Sequence, residues 1–256
     1  MIIKRNIANN KYCLLLFLML LFISFEILPY SYSYSYGSFE KDFYIKNNIA
    51  YPFMLYIPKS YDENKSLPLV IFLHGAKERG NDGYSQCLVG LGPCIKENTY
   101  LQNSFILFPQ ILENMFWASD IGLEIVLKEL KMVIDLFSID ISRIYLTGIS
   151  MGGTGVWVLA EKFSHLFAAI VPIAAFIYKN EETVNLINTN IWAFQSKNDS
   201  ICPPNAVKER IEFLKSFSNL IQYSEYKDYS HRETWEKAYN NPELYEWLFS
   251  KNLTGN

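Results

Sequence analysis

The sequence feature that most constrains the fold is a serine between two glycines, in the run Gly148-Ile-Ser-Met-Gly152. Residues 143–147 before it are largely apolar, include β-branched residues and indicate a strand, and residues 155–162 after it indicate a helix. A serine at the tip of a sharp strand-to-helix turn projects its hydroxyl above the sheet. The crowded backbone at such a turn leaves no room for side chains at the two glycines. The pattern therefore predicts that Ser150 is a nucleophile, with a structural glycine turn as the alternative.

Residues 1–35 are predicted to be an export signal followed by a Ser/Tyr tract that acts as a cleavage region or tether. Three positive charges precede an almost wholly apolar run at residues 13–25, and small residues at the spacing that a signal peptidase recognises follow it. The apolar run is shorter than the ~20 residues that a bilayer-spanning helix needs. We therefore expect cleavage between about Ser33 and Ser38 and a secreted or periplasmic protein. An uncleaved membrane anchor is the alternative.

The remaining chain is predicted to form one domain, residues 36–256. Half of the chain is hydrophobic, so about 220 residues suffice for one substantial core and are too few for two domains. Removing residues 1–33 takes away three positive charges and one negative charge, so the net charge changes from −3 to −5. We expect no nucleic-acid partner, and no membrane partner beyond the export signal.

Three cysteines would remain after processing. In an exported protein Cys87 and Cys94 could pair across a short loop and leave Cys202 free, but the sequence does not choose among the three pairings. No spacing of Cys with His is that of a metal site, and the chain has only 3 histidines. We therefore expect neither a metal nor another cofactor.

Strand-like and helix-like segments alternate along the domain, which is typical of an α/β fold with a mainly parallel sheet covered by helices on both faces. The strand at residues 67–73 is continuously apolar, as a central strand buried on both sides would be. The other predicted strands are residues 51–57, 104–108, 143–147, 168–174, 190–195 and 220–226. The predicted helices are residues 123–137, 155–162, 205–217 and 243–249.

Chain order restricts the partners of the serine, because on such a turn the acid and then the histidine follow the nucleophile along the chain. Of the three histidines only His231 comes late enough, in the loop expected after the last strand. The acid is expected in the loop after residues 190–195, which contains Asp199. Asp228, three residues before His231, is the rival. The acid would hold the imidazole in the useful tautomer and stabilise the imidazolium.

Two backbone N–H groups are candidates for binding a developing oxyanion. Met151 begins the helix after the nucleophile, and Ala76 lies in the loop after residues 67–73, where Gly75 permits a close approach. His74 in the same loop is expected to be structural and to bond to the backbone.

Several motifs together resemble the α/β-hydrolase superfamily, within it the small esterases and predicted peptidases related to polyhydroxybutyrate depolymerases and feruloyl esterases. The resemblance runs from about residue 51 to residue 248. Besides the serine turn it rests on FLHGAKERG at residues 72–80, FPQ at residues 108–110 with a following tryptophan, IDISRIYLTG at residues 139–148, and AYNNPELYEW at residues 238–247. It implies an α/β-hydrolase fold in a single domain.

The resemblance also implies substrate-pocket residues near the mouth of the site: Glu78, Arg79, Gln110 and Trp117. An ion pair of Glu78 with Arg79 that braces the loop is the alternative role for these two. Three departures from the family pattern leave the shape and charge of the acyl pocket open: Lys77 where glycine is usual, Thr154 where an aromatic is common, and Gln195-Ser196 where a His-Gly pair usually precedes the acid.

The function that we expect is a secreted serine carboxylic ester hydrolase that forms an acyl-enzyme intermediate. The substrate would be a small-molecule ester or an ester of a carbohydrate or polymer. No long insertion between the predicted strands offers a lid, so an open, shallow site is expected. A serine peptidase of the same fold is the alternative, and a binding protein that has lost activity is a further one.

Overall fold

The computed structural model describes residues 31–177 and 181–253. The predicted signal segment before residue 31 lies outside the described residues, so export stays a prediction. In the described part of the chain, no helix is both long enough and apolar enough to cross a membrane.

The described residues form a sheet of nine strands in the order β1-β2-β3-β5-β4-β6-β7-β8-β9. The strands are β1 (Ser31–Tyr34), β2 (Gly37–Lys46), β3 (Ile49–Pro58), β4 (Leu67–Leu73), β5 (Phe105–Pro109), β6 (Ile139–Ile149), β7 (Ala169–Ile173), β8 (Asn190–Ser196) and β9 (Ile221–Tyr226). The first three strands form an antiparallel meander, and β3 is antiparallel to β5. From β5 through β9 all neighbouring strands are parallel.

In the described part of the chain, six α-helices flank this sheet: α1 (Thr99–Gln102), α2 (Asp120–Leu136), α3 (Met151–Phe163), α4 (Asn205–Lys215), α5 (His231–Tyr239) and α6 (Pro242–Phe249). Local signals set several of their ends. The Ser119 hydroxyl accepts a hydrogen bond from the Gly122 N–H at 3.2 Å and caps α2. Pro242 opens α6 at a position where a missing N–H does no harm.

Strand β4 shows why the sheet must be covered on both faces. Leu69, Ile71 and Leu73 pack in one hydrophobic core, whereas Val70 and Phe72 point the other way into a second core. Because side chains alternate across a strand, a continuously apolar strand can be buried only between two layers. The predicted α/β architecture is confirmed, and all seven predicted strands and four predicted helices are present within a few residues.

The sequence did not predict the N-terminal hairpin of β1 and β2. Residues 31–34 belong to the tract expected to act as a tether, yet their backbone pairs with β2 as an edge strand. Tyr36 is already part of the domain, since its carbonyl oxygen accepts hydrogen bonds from the Tyr56 hydroxyl at 2.7 Å and the Lys59 N–H at 3.1 Å. Glycine is required at position 37 because the backbones of β2 and β3 approach closely there. A Cβ atom on Gly37 would lie 2.5 Å from the Ile57 carbonyl oxygen.

Candidate active site

Ser150 occupies the strained turn that the glycine pattern predicts. Its φ of 54° and ψ of −119° lie in a region that residues other than glycine rarely adopt. The strain is held by packing and by the Ser150 N–H, which donates to the Ile173 carbonyl oxygen at 2.9 Å. A Cβ atom on Gly152 would lie 1.9 Å from the Leu73 carbonyl oxygen, and one on Gly148 would lie 2.7 Å from the Gly152 carbonyl carbon. The two glycines therefore allow β6, α3 and the end of β4 to meet beneath the serine.

His231 lies between Ser150 and Asp199 in a chain of hydrogen bonds. Its Nε2 atom is 2.8 Å from the Ser150 Oγ atom, and its Nδ1 atom is 2.6 Å from an Asp199 carboxylate oxygen. These three side chains come from α5, the β6-α3 turn and the loop after β8. The carboxyl ends of neighbouring parallel strands meet at the same edge of the sheet, which brings these loops together.

His231 is the first residue of a helix, although the sequence analysis expected a loop at this position. The helix begins there because Ser230 and Glu233 form a capping box: the Ser230 hydroxyl accepts from the Glu233 N–H, and the Glu233 carboxylate accepts from the Ser230 N–H. The imidazole also packs edge-to-face on Trp235 one turn later, with ring centroids 5.1 Å apart. Trp235 was not among the predicted site residues, although its spacing of four residues from a histidine on a helix could have indicated the contact.

Asp199, and not the rival Asp228, contacts the histidine. Asp199 is 3% exposed, and its second carboxylate oxygen accepts hydrogen bonds from the N–H groups of Ile201 and Cys202, both at 2.9 Å. Asp228 is exposed, and the His231 Nδ1 atom is already hydrogen-bonded to Asp199.

Burial raises the pKa of the nearby Cys202 thiol to about 12, so this cysteine stays protonated at neutral pH.

Gln195 and Ser196, which depart from the family pattern, hold the loop that carries the acid. The Gln195 amide donates to the Cys202 carbonyl oxygen at 3.0 Å and accepts from the Ala175 N–H at 2.8 Å. The Ser196 hydroxyl donates to the Tyr229 carbonyl oxygen at 2.5 Å. Thr154 has a similar bracing role, since its hydroxyl donates to the Phe176 carbonyl oxygen at 2.7 Å.

The two N–H groups expected to bind an oxyanion both lie at the start of a helical turn. Met151 is the first residue of α3, and Ala76 is the first residue of a 3₁₀ turn at Ala76–Glu78. Neither turn has a side-chain cap, and first-turn N–H groups have no acceptor within their own helix. Gly75 brings the Ala76 turn close to the nucleophile, because a Cβ atom on Gly75 would lie 3.7 Å from the Ser150 Cβ atom.

His74 is a structural residue, as expected. It is fully buried, its Nδ1 atom is 2.6 Å from the Gly75 carbonyl oxygen, and its Nε2 atom accepts from the Ile111 N–H at 3.3 Å. Burial lowers the pKa of His74 to about 4, so the ring is neutral at physiological pH and donates through Nδ1.

Gln110 and Trp117 do not lie at the mouth of the site, and that expectation is wrong. Both are fully buried. The Trp117 indole N–H donates to the His74 carbonyl oxygen at 3.0 Å, and the Gln110 amide donates to the Glu78 carbonyl oxygen at 3.0 Å and accepts from the Gly83 N–H at 2.7 Å. These two residues support the loop after β4 from below, and so they shape the site without facing it.

Glu78 and Arg79 point to different environments. Glu78 lines the cleft beside Ser150. The Arg79 guanidinium instead donates to the carbonyl oxygens of Ala76 at 2.9 Å and Met115 at 3.4 Å, and lies over the Phe116 ring. Among the ion pairs of the described residues none joins Glu78 to Arg79, so the expected bracing of the loop comes from backbone contacts of Arg79.

A cleft of about 1300 Å³ opens in front of Ser150. The segment between β4 and β5 forms one wall, including Leu88, Pro93 and Cys94. Helix α5 and the start of α6 form the other, including Trp235 and Pro242. The cleft is larger than the shallow site that the sequence analysis expected, because the β4-β5 connection folds into 3₁₀ turns beside the nucleophile.

The described residues contain three cysteines, and these form no disulfide. Cys87, Cys94 and Cys202 are free thiols, so the suggested pairing of Cys87 with Cys94 is not formed. Over residues 31–177 and 181–253, no group of three His, Cys, Asp or Glu residues is arranged to hold a metal ion.

The strand order and the serine turn define an α/β-hydrolase fold. The chain shares this fold with solved esterases and serine hydrolases. A thermostable esterase superposes with a TM-score of 0.78 and 29% sequence identity; the match covers 84% of this chain and 63% of the esterase. These neighbours support a hydrolase of this fold.

Two further solved structures show the fold alone, because their sequence identity is low. The feruloyl esterase module of Clostridium thermocellum, complexed with sinapinate, has a TM-score of 0.65 and 14% identity, covering 87% of this chain and 93% of the module. The S-formylglutathione hydrolase of Staphylococcus aureus has a TM-score of 0.64 and 13% identity, covering 87% of this chain and 98% of the hydrolase. Comparison by sequence finds no matching family model and no similar curated protein.

Proposed function

We propose that this protein is a serine carboxylic ester hydrolase with Ser150, His231 and Asp199 as its catalytic triad. One observation carries the proposal: the hydrogen-bond chain from the Ser150 hydroxyl through both ring nitrogens of His231 to a buried carboxylate, at 2.8 Å and 2.6 Å. A base within hydrogen-bond reach of a nucleophile, itself oriented by a third group, is the arrangement that activates a serine.

In the first half of the reaction the Ser150 Oγ atom attacks the ester carbonyl carbon while the His231 Nε2 atom takes the hydroxyl proton. Asp199 accepts the hydrogen bond from Nδ1–H and stabilises the imidazolium without taking its proton. The carbonyl oxygen becomes an oxyanion that the N–H groups of Ala76 and Met151 bind. The tetrahedral intermediate then collapses, and Nε2–H delivers its proton to the departing alcohol.

In the second half a water molecule hydrolyses the acyl-enzyme. His231 takes a proton from the water as its oxygen attacks the acyl carbon, and returns that proton to Ser150 as the serine leaves. The acid product departs, and the triad returns to its starting protonation state.

An ester is favoured over a peptide because an alkoxide leaves with much less protonation than an amine does. The cleft has room for acyl and alcohol groups of moderate size. The proposed substrates are small-molecule esters or esters carried by a carbohydrate or polymer. The comparison that separates the two reactions is kcat/KM for an ester and an amide with the same acyl group. Equal values would replace the esterase proposal with the peptidase alternative.

The nucleophile is tested by labelling with a fluorophosphonate and by Ser150→Ala. We expect label on Ser150 only, and a loss of about 10⁴- to 10⁶-fold in kcat for a chromogenic ester. Matched far-ultraviolet circular dichroism of the variant would show that the fold is intact. Label on another residue, or retained turnover in the variant, would contradict the assignment.

We also propose that the protein is exported, and that processing occurs before Tyr36. A cut after Tyr36 would remove the carbonyl oxygen that the buried Tyr56 hydroxyl bonds to, whereas a cut between Ser33 and Ser35 would remove mainly the edge strand β1. N-terminal sequencing of protein from the native host is the measurement. An intact N-terminus in the membrane fraction would favour the anchor.

A further inference from the structure

The carboxyl group of Glu78 and the nucleophile Ser150 both lie close to Gly75. A Cβ atom on Gly75 would lie 3.0 Å from the Glu78 Oε2 atom and 3.7 Å from the Ser150 Cβ atom. Glu78 and Ser150 both line the cleft, and Glu78 ends the 3₁₀ turn whose first residue is Ala76. A carboxyl group therefore stands beside the position where the carbonyl oxygen of a substrate would gain negative charge.

Over residues 31–177 and 181–253, none of the ion pairs includes the Glu78 carboxyl group. Arg79, the adjacent residue, is bonded to backbone carbonyl oxygens. Within the described residues the Lys and Arg side chains that form ion pairs do so with other acids. Burial raises the pKa of Glu78, and the opposing effects of the Glu78 and Gly75 N–H groups and of Lys77 do not cancel it.

A carboxylate without a cation partner would repel the developing oxyanion of a neutral ester and so slow its hydrolysis. A positive charge on the substrate, placed between the two, would remove that repulsion and would also provide a charge-assisted hydrogen bond. The same carboxylate that hinders neutral esters would thus assist cationic ones.

We propose that Glu78 is a specificity-determining residue that selects esters carrying a protonated amine close to the scissile carbonyl. The inference rests on the proposed esterase function and names the class of substrate at that same site. The amine belongs to either the acyl part of the ester, about two bonds from the carbonyl carbon, or the alcohol part, about three bonds from the ester oxygen.

The test compares isosteric esters in which a protonated amine replaces a hydrocarbon group of the same shape. On the acyl side these are L-alanine methyl ester and methyl isobutyrate, with methyl lactate as the neutral hydrogen-bond donor. On the alcohol side they are 2-(dimethylamino)ethyl acetate and 3-methylbutyl acetate. At about pH 7 the α-amino group, with an ordinary pKa of about 7.7–8.0, is protonated. Release of acid is followed in a pH-stat with the wild type, Glu78→Gln and the control Glu113→Gln, an exposed glutamate outside the cleft.

We expect the wild type to prefer the cationic member of at least one pair by about ten- to a hundredfold in kcat/KM, the range for a hydrogen bond between charged groups. Glu78→Gln should bring that ratio close to one, both by slowing the cationic ester and by accelerating the neutral one. Glu113→Gln should keep the wild-type ratio. A folding defect in Glu78→Gln would lower both rates together and leave the ratio unchanged.

Hydrolysis of both members of each pair at equal rates by the wild type, with turnover lost in Ser150→Ala, would overturn this inference and leave the proposed esterase function standing. An equal preference for methyl lactate would overturn the requirement for positive charge. Absence of any ester hydrolysis together with absence of fluorophosphonate label would overturn both proposals.

Discussion

The Ser196 hydroxyl donates a hydrogen bond to the Tyr229 carbonyl oxygen at 2.5 Å, and so joins the end of β8 to the turn before α5. Asp199 follows the first of these elements and His231 follows the second. The separation of acid and base therefore depends on a contact between two loops, in addition to the hydrogen bond between the two side chains themselves.

Ser196→Ala should lower kcat of the proposed esterase by several-fold and change KM less. Loss of one hydrogen bond costs about 1 kcal/mol, and a small shift of the loop misplaces the acid relative to the imidazole. Steady-state kinetics on a chromogenic ester measure the effect. The control is Ser216→Ala, which removes a similar hydroxyl-to-carbonyl contact at the end of α4, away from the cleft. Equal losses in both variants would assign Ser196 a role in stability only.

Asp199→Asn should lower kcat by about 10³- to 10⁴-fold, because an amide in place of the carboxylate supports the wrong tautomer of His231. Asp228→Asn, three residues before the same histidine, should retain near wild-type activity since Asp228 is exposed. The two variants are matched in chemistry and differ only in position. The reverse result would transfer the role of the acid to Asp228.

His74 should make the protein less stable in acid. Its pKa is lowered to about 4 in the folded state by burial, whereas an unfolded histidine has its ordinary value near 6.5. Between these values the unfolded state binds more protons, so the free energy of unfolding decreases as the pH falls through this window. The full effect is about 3 kcal/mol.

The measurement is urea unfolding of the wild type and His74→Gln at pH 7 and pH 4. The variant lacks the titrating ring, so its stability deficit at pH 7 should shrink by about 3 kcal/mol at pH 4. A deficit that is the same at both pH values would show that His74 titrates alike in the folded and unfolded states.

Arg210→Met should destabilise the fold by about 3–5 kcal/mol, because it removes the guanidinium that is ion-paired with the buried Glu161 carboxylate. The two side chains form an ion pair between α4 and α3 and are 6% and 0% exposed. Replacing both, as Glu161→Gln with Arg210→Met, should recover most of the loss. Lys131→Met, which breaks an exposed pair with Asp135 on α2, should cost less than about 1 kcal/mol.

Urea unfolding of these variants tests the contribution of burial. If Arg210→Met costs no more than Lys131→Met, the Glu161 carboxylate has found another partner or taken up a proton. If the double variant is as unstable as the single one, the loss arises from packing of Arg210 against the Trp157 ring.

Local patterns in the sequence were sufficient for the elements and for the serine turn. The continuous apolar run of β4 and the glycines around Ser150 encode their own conformations, because strand burial and crowding at a sharp turn act on neighbouring residues. Chain order then pointed to His231. The hairpin of β1 and β2 was missed because a Ser/Tyr alternation has little apolar signal, and pairing with β3 supplies its register.

Only the tertiary structure decided which side chains converge on the site. Asp199 follows β8 and Asp228 follows β9, so both lie at the carboxyl ends of parallel strands. The contacts of β8 and β9 determine that Asp199 meets the imidazole. Gln110 and Trp117 lie in motifs that suggested a pocket, yet the fold buries them beneath the loop after β4. The cleft in front of Ser150 depends on the packing of the β4-β5 segment opposite α5 and α6. The physical reason is the same in each case: local sequence determines backbone conformation over a few residues, whereas contacts between distant loops depend on the order and register of the strands that carry them.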